Sequence, residues 1–110
     1  MSRGKSKKQT KWTNRRILDH GEITKHFYKR WCERFSDISF EELEKYIRES
    51  KGTDLERIKY NYYRLYNHCM VIVRHNKKCQ LVTYIGDLDK HPELLHRIIF
   101  DEMKTKEYYL

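Results

Sequence analysis

The chain lacks several features, and each absence narrows what the protein can be. No apolar run approaches the ~18 residues that a membrane span requires, and the basic N-terminus has no apolar stretch typical of a signal peptide. Alanine is absent while tyrosine occurs 9 times, a bias that suggests an AT-rich genome such as that of a phage or mobile element. We therefore expect a cytoplasmic protein, in the host cytoplasm if a phage encodes it, with no membrane partner.

Cysteine is scarce as well. Cys32, Cys69 and Cys79 are odd in number and show no C-x-x-C spacing. This pattern is typical of reduced thiols and argues against a disulfide framework or a zinc site. The sequence therefore predicts neither a metal nor another cofactor.

Positive charge is what the chain has in excess. Its 110 residues include 24 Lys and Arg against 16 Asp and Glu, a formal net charge of +8. Such an excess does not help folding, but it favours association with phosphates through counterion release and long-range steering. RNA is the favoured partner, although a basic surface also suits an acidic protein such as an antitoxin.

The length fits one domain, preceded by a basic arm. Residues 1–11 (MSRGKSKKQTK) carry no apolar side chain after Met1, so we expect a disordered arm and a single domain over residues 12–110. The arm either touches phosphates or is a solvated tail without a role. The predicted nucleic-acid-binding residues are Lys5, Lys7, Lys8, Arg15, Arg16, Arg74, Lys77, Lys78 and Tyr84.

The secondary structure is predicted from the spacing of apolar residues and from capping and turn residues. Residues 13–35 read as helix with an apolar stripe at every fourth position, and Gly21 is a possible break. Ser39-x-x-Glu42 is a capping box that begins a second helix over residues 40–49. Residues 70–75 and 79–85 are β-branched runs joined by a polar triplet, which predicts a hairpin.

The region between the second helix and the hairpin allows two interpretations. Thr53-x-x-Glu56 would cap a third helix, but residues 58–66 are rich in aromatics, and we prefer a strand there because a hairpin needs a partner strand. Pro92 then begins a final helix, whose apolar stripe ends at Met103. The predicted fold is α+β, with two N-terminal helices, a three-stranded antiparallel sheet and a C-terminal helix.

One helical row could carry chemistry. His26, Arg30 and Arg34 stand at i, i+4 and i+8, so they share one side of the first helix. Arginine holds phosphate oxygens, and histidine can move a proton near neutral pH, a combination suited to phosphodiester cleavage. The same row is also compatible with an ordinary solvated face whose arginines pair with nearby acids. No second His, Asp or Glu completes a metal-ligand set.

Two longer segments carry a family resemblance. ITKHFYKRWCERFSDISFEELEKYI and QLVTYIGD resemble small phage and mobile-element proteins grouped with the barnase, colicin and RelE-like ribonuclease toxins, over about residues 24–87. The resemblance implies a metal-independent endoribonuclease that leaves a 2′,3′-cyclic phosphate. In it, His26 would be the acid or base, Arg30 and Arg34 would stabilise the phosphorane, and Thr83 would position a phosphate oxygen. Tyr84 would donate a proton or stack a base, although strand alternation sends it to the opposite face from Thr83.

Two further interpretations stay open. The domain could be a non-catalytic nucleic-acid-binding module, or an inhibitor or host-takeover protein that binds an acidic surface. For the module, the contacts would be the arm, the hairpin tip and exposed tyrosines. The tyrosine cluster that either stacks bases or fills the core consists of Tyr60, Tyr62, Tyr63 and Tyr66.

Overall fold

A five-stranded mixed sheet forms the centre of the computed structural model, which describes residues 11–100. The helices are α1 (Asn14–His20), α2 (Lys25–Arg34), α3 (Phe40–Glu49) and α4 (Glu93–Ile99). The strands are β1 (Glu22–Ile23), β2 (Leu55–Lys59), β3 (Tyr62–Leu65), β4 (His68–Arg74) and β5 (Cys79–Asp87). The strand order is β1-β5-β4-β3-β2, with β1 parallel to β5 and every other pair antiparallel. Residues 1–10 of the predicted arm and Met103 of the predicted last helix lie outside the described residues.

The predicted α+β class is confirmed, but the predicted set of elements is wrong. Within residues 11–100 the structure has four helices and a five-stranded mixed sheet, where two N-terminal helices, three antiparallel strands and a last helix were expected.

Residues 13–35 form two helices with a short strand between them, and the break falls at Gly21, as expected. A Cβ at Gly21 would lie 2.7 Å from the Ile17 carbonyl oxygen and 2.8 Å from Leu81 Cδ1. The absent side chain therefore lets the end of α1 approach β5 closely. Thr24 then caps α2 by accepting a hydrogen bond from the Phe27 N–H.

Residues 58–66 contain the end of one strand, a turn and a second strand. Tyr60 and Asn61 turn the chain between β2 and β3, and Tyr60 has a φ of 54°. Positive φ in hairpin turns is usually supplied by Gly, Asn or Asp. Because tyrosine occupies this position, no turn signal marks the boundary between β2 and β3, and the prediction of a single strand over this run is wrong.

The hairpin and the capped helix were predicted correctly. β4 and β5 pair from His68 opposite Asp87 to Arg74 opposite Cys79, with two irregularities in register. Ser39 and Glu42 form the reciprocal capping box at the start of α3. In the last helix Pro92 precedes the first helical residue by one position.

The core lies on both faces of the sheet. Helices α1 to α3 cover one face with side chains such as Phe27, Trp31 and Leu43, and α4 contributes Ile98 to a second cluster on the other. Each large apolar side chain buried in this way contributes about 1.5–3 kcal/mol. The sheet is therefore packed between two layers.

Candidate functional site

The predicted catalytic row lies beside the edge of β5. Strand β1 pairs with only Gln80 and Leu81, so the rest of this edge has no neighbouring strand among the described residues. Helix α2 covers it with side-chain donors. The Thr24 hydroxyl donates to the Leu81 carbonyl at 3.1 Å, and Arg34 Nη1 donates to the carbonyls of Tyr84 at 3.1 Å and Ile85 at 3.2 Å. Arg34 therefore satisfies backbone acceptors that an unpaired strand would expose.

The other members of the row have different surroundings. His26 and Arg30 are half-buried, and Arg30 Nη1 donates to Glu33 Oε1 at 2.8 Å. This hydrogen bond lowers the pKa of Glu33. His26, Arg30 and Arg34 thus share one side of α2, as their spacing predicted.

Thr83 lies apart from that row. Its side chain is 0% exposed, and its cross-strand partner is Val71, which belongs to the cluster on the α4 face. Directly opposed residues share a face of the sheet, so Thr83 lies on the opposite face from α2. The structure does not bring Thr83 together with the three residues of α2.

Tyr84 is buried against α2. Its ring centroid lies 4.7 Å from that of Trp31, and its hydroxyl is 2.8 Å from His68 Nδ1. Burial raises the pKa of Tyr84. With no exposed surface, this tyrosine is placed in the core and away from any bound nucleic acid.

The basic residues predicted to contact nucleic acid meet at one end of the sheet. Trp12 Nε1 donates to the His75 carbonyl at 2.8 Å, and the Arg16 guanidinium stacks 4.6 Å from the Trp12 ring. These contacts join the start of the described chain to the β4–β5 turn. We call the resulting surface the basic patch; its exposed cations are Lys11, Arg16, Arg74, Lys77 and Lys78.

Two predicted groups lie outside this patch. Lys5, Lys7 and Lys8 fall in residues 1–10, outside the described residues, although the sequence connects them to the patch through Lys11. Arg15 donates to the carbonyls of Ser50 at 2.9 Å and Arg48 at 3.0 Å. Arg15 therefore links α1 to the end of α3 by hydrogen bonds.

Sequence reasoning missed Trp12, the residue that organises the patch. The signal was an aromatic side chain set among cations in KWTNRR, a composition suited to nucleic-acid binding. The long-range partner of this tryptophan, 63 residues further on, leaves no trace in the local sequence.

Residues 11–100 contain neither a metal-binding cluster nor a helix suited to a membrane span. In this part of the chain no group of three His, Cys, Asp or Glu side chains could hold a metal ion. None of its helices combines the length and apolar character that crossing a bilayer would require.

No protein-family model, no curated protein and no solved structure matches this chain. The resemblance to ribonuclease toxins therefore stays a prediction from its motifs.

Proposed function

We propose that this protein binds RNA through the basic patch. The observation that supports this most directly is the Trp12–His75 hydrogen bond, because it collects cations from two distant parts of the sequence on one surface. The exposed residues of the patch carry fixed charges suited to phosphate oxygens. The lysines of residues 1–10 are covalently continuous with it and add to the local charge.

The proposal is tested by measuring affinity for single-stranded RNA as a function of salt. The logarithm of the binding constant should fall linearly with the logarithm of salt concentration, by about 0.7 per phosphate contact. Replacing both Lys77 and Lys78 with alanine should weaken binding and reduce this slope by about 1.4. Lys29→Ala and Lys45→Ala, which remove exposed cations outside the patch, are the matched controls.

Two outcomes would contradict the proposal. If the control variants lose as much affinity as the patch variant, the interaction depends on net charge and not on this surface. If wild type does not bind RNA even at low salt, an acidic protein partner becomes the better explanation.

Trp12→Phe tests the organisation of the patch separately from its charge. Phenylalanine keeps an aromatic ring beside Arg16 but removes the donor to the His75 carbonyl. We expect weaker binding and a smaller salt slope, because cations that no longer share one surface contact fewer phosphates of the same RNA. An unchanged slope would show that the patch cations gather on one surface without this hydrogen bond.

A metal-independent endoribonuclease activity is the second proposal, and it concerns His26, Arg30 and Arg34. All three are partly exposed on one side of α2, which supports a role in contacting substrate. Incubation with RNA in EDTA should then yield 2′,3′-cyclic phosphate ends, and His26→Ala should slow cleavage by ~10²–10⁴-fold. Equal cleavage by wild type and His26→Ala would remove this proposal and leave RNA binding as the function.

A further inference from the structure

An aromatic pocket lies at the end of β4 opposite the basic patch. It has a volume of about 430 Å³ and is bounded by α2, α3 and the β3–β4 turn. We call it the aromatic pocket; its principal lining residues are Trp31, Phe35, Glu42, Tyr46, Asn67 and His68. Neither the basic patch nor the row on α2 accounts for a concave, ring-lined space at this position.

The rings form a box and not a pair of parallel plates. The His68 ring centroid lies 4.5 Å from that of Trp31, 4.6 Å from that of Phe35 and 5.8 Å from that of Tyr46. Phe35 and Tyr46 each stand at 86° to the His68 ring, and Trp31 is tilted by 42°. A flat nucleobase stacks best between parallel faces, whereas walls at right angles suit a compact, rounded group.

Two acidic side chains lie at or near these rings. Glu42 lines the pocket, and its pKa is lowered by the hydrogen bond from the Ser39 backbone N–H, so it is ionised at neutral pH. Asp87 is the cross-strand partner of His68, and the hydrogen bond from Asn67 lowers its pKa as well. His68 adds no positive charge at neutral pH, because burial lowers its pKa to about 4.

Two large aromatic side chains remain exposed at the mouth of the pocket. Phe35 and Tyr46 are 39% and 36% exposed, although both rings contact the buried core. Beside them, the ring centroid of Tyr66 lies 6.2 Å from that of Tyr46, and the backbone of Tyr66 has a φ of 57°. A bulky residue at positive φ is uncommon and carries strain, and such strain tends to occur where function requires a fixed side chain.

We propose that the aromatic pocket binds an alkylated ammonium cation, with the ring faces around the charge and Glu42 as the counter-ion. Aromatic rings attract cations through their quadrupole, and boxes of such rings recognise quaternary ammonium groups. The cation could be carried by a methylated lysine of a protein or be a free quaternary amine. Both sources present the same chemistry to the pocket.

Tryptophan fluorescence provides the test. The chain has two tryptophans, so Trp12→Phe leaves Trp31 in the pocket wall as the reporter. We expect saturable fluorescence changes with choline and with a trimethyllysine peptide. 3,3-Dimethylbutanol, which has the shape of choline without its charge, should bind roughly 2- to 30-fold more weakly, the range that a cation–π contribution corresponds to. A peptide that binds more tightly than choline identifies a protein source, and the reverse identifies a free amine.

Three variants in the same background locate the site. Tyr46→Ala should weaken choline binding because it removes an exposed wall. Glu42→Gln should weaken it as well, and it separates charge from folding because glutamine can also complete the capping box. Tyr60→Ala is the matched control, since Tyr60 is also an exposed tyrosine at positive φ but lies at the β2–β3 turn.

The inference is overturned if choline produces no saturable change or if the neutral analogue binds equally well. It is also overturned if adenosine saturates the pocket while choline does not, because the pocket would then be a nucleobase site. An equal loss of choline binding in Tyr60→Ala and Tyr46→Ala would likewise move the site away from these rings.

Discussion

At the scale of single residues, His68 shows how the core accommodates a polar group. The side chain is 3% exposed, and its Nδ1 is 2.8 Å from the Tyr84 hydroxyl. A buried polar atom without such a partner would cost about 1–3 kcal/mol. Four aromatic rings surround the imidazole. Its burial disfavours the protonated form and outweighs the opposing influence of Asp87 on the pKa of His68.

Protonation of His68 should make the protein less stable in acid. Burial lowers its pKa from 6.5 to about 4, so between these values the unfolded chain binds a proton that the folded protein does not. The free energy of unfolding should therefore be unaffected by this group above pH 6.5 and should fall as the pH drops towards 4. The slope is at most about 1.4 kcal/mol per pH unit.

Denaturant unfolding of wild type and His68→Gln between pH 5 and 7 measures this contribution. The variant should be less stable at pH 7, because the Tyr84 hydroxyl loses its partner, but its stability should depend less on pH. Parallel pH profiles for the two proteins would show that His68 titrates normally in the folded state.

Individual tyrosines also show what could not be predicted from the sequence, namely which of them are buried and which are exposed. The aromatic cluster allowed either stacking or core roles, and the structure divides it: Tyr62 and Tyr63 are buried, while Tyr60 and Tyr66 are 63% and 41% exposed. Local composition could not decide this, because the exposed pair lies in turns that tyrosine does not normally form.

At the scale of elements, the edge of β5 explains why α2 carries a polar side. Arg34 donates from Nη1 to two successive carbonyls, and Thr24 donates to two others further back along the same strand. In this way a helix completes a sheet edge that β1 is too short to cover. Arg34 therefore has a structural role at this edge, in addition to the catalytic role proposed for it with His26 and Arg30.

Arg34→Ala should destabilise the protein by about 2 kcal/mol, the usual contribution of hydrogen bonds from a charged donor to partly buried acceptors. Lys29→Ala, on the exposed side of the same helix, should change the free energy of unfolding by less than about 0.5 kcal/mol. Thermal and denaturant unfolding of both variants would show the difference. Equal stability of the two would mean that water replaces Arg34 at the β5 carbonyls without loss.

The elements that the sequence predicted correctly are those with strong local signals. The capping box of α3 and the β-branched runs of β4 and β5 are examples. Strand β1 was missed because two residues are too short to show a period, and its pairing with β5 is a long-range contact. The candidate site was predicted in part for the same reason: its cations were visible, but the Trp12–His75 contact that assembles them was not.

At the scale of the whole molecule, strand β4 separates two surfaces of opposite character. The basic patch surrounds its Arg74 end, and the aromatic pocket with Glu42 lies at its His68 end. Six residue steps of extended chain place these ends about 20 Å apart. A strongly basic protein thus keeps a local site where a cation is favoured, because the excess charge lies elsewhere.

This separation predicts that RNA and an ammonium ligand bind independently. At physiological ionic strength the Debye length is about 8 Å, so charges about 20 Å apart across the surface are largely screened. The paired strand between them belongs to a packed sheet and offers no flexible link. The affinity for choline should therefore change by less than about twofold when saturating RNA is present, and by thermodynamic linkage the affinity for RNA should be equally unaffected by choline.

Titrating each ligand with and without the other at 0.15 M salt, and again at a tenth of that concentration, measures the coupling. Competition that persists at the higher salt would mean that one ligand reaches both ends of β4, and that the two surfaces form a single continuous site.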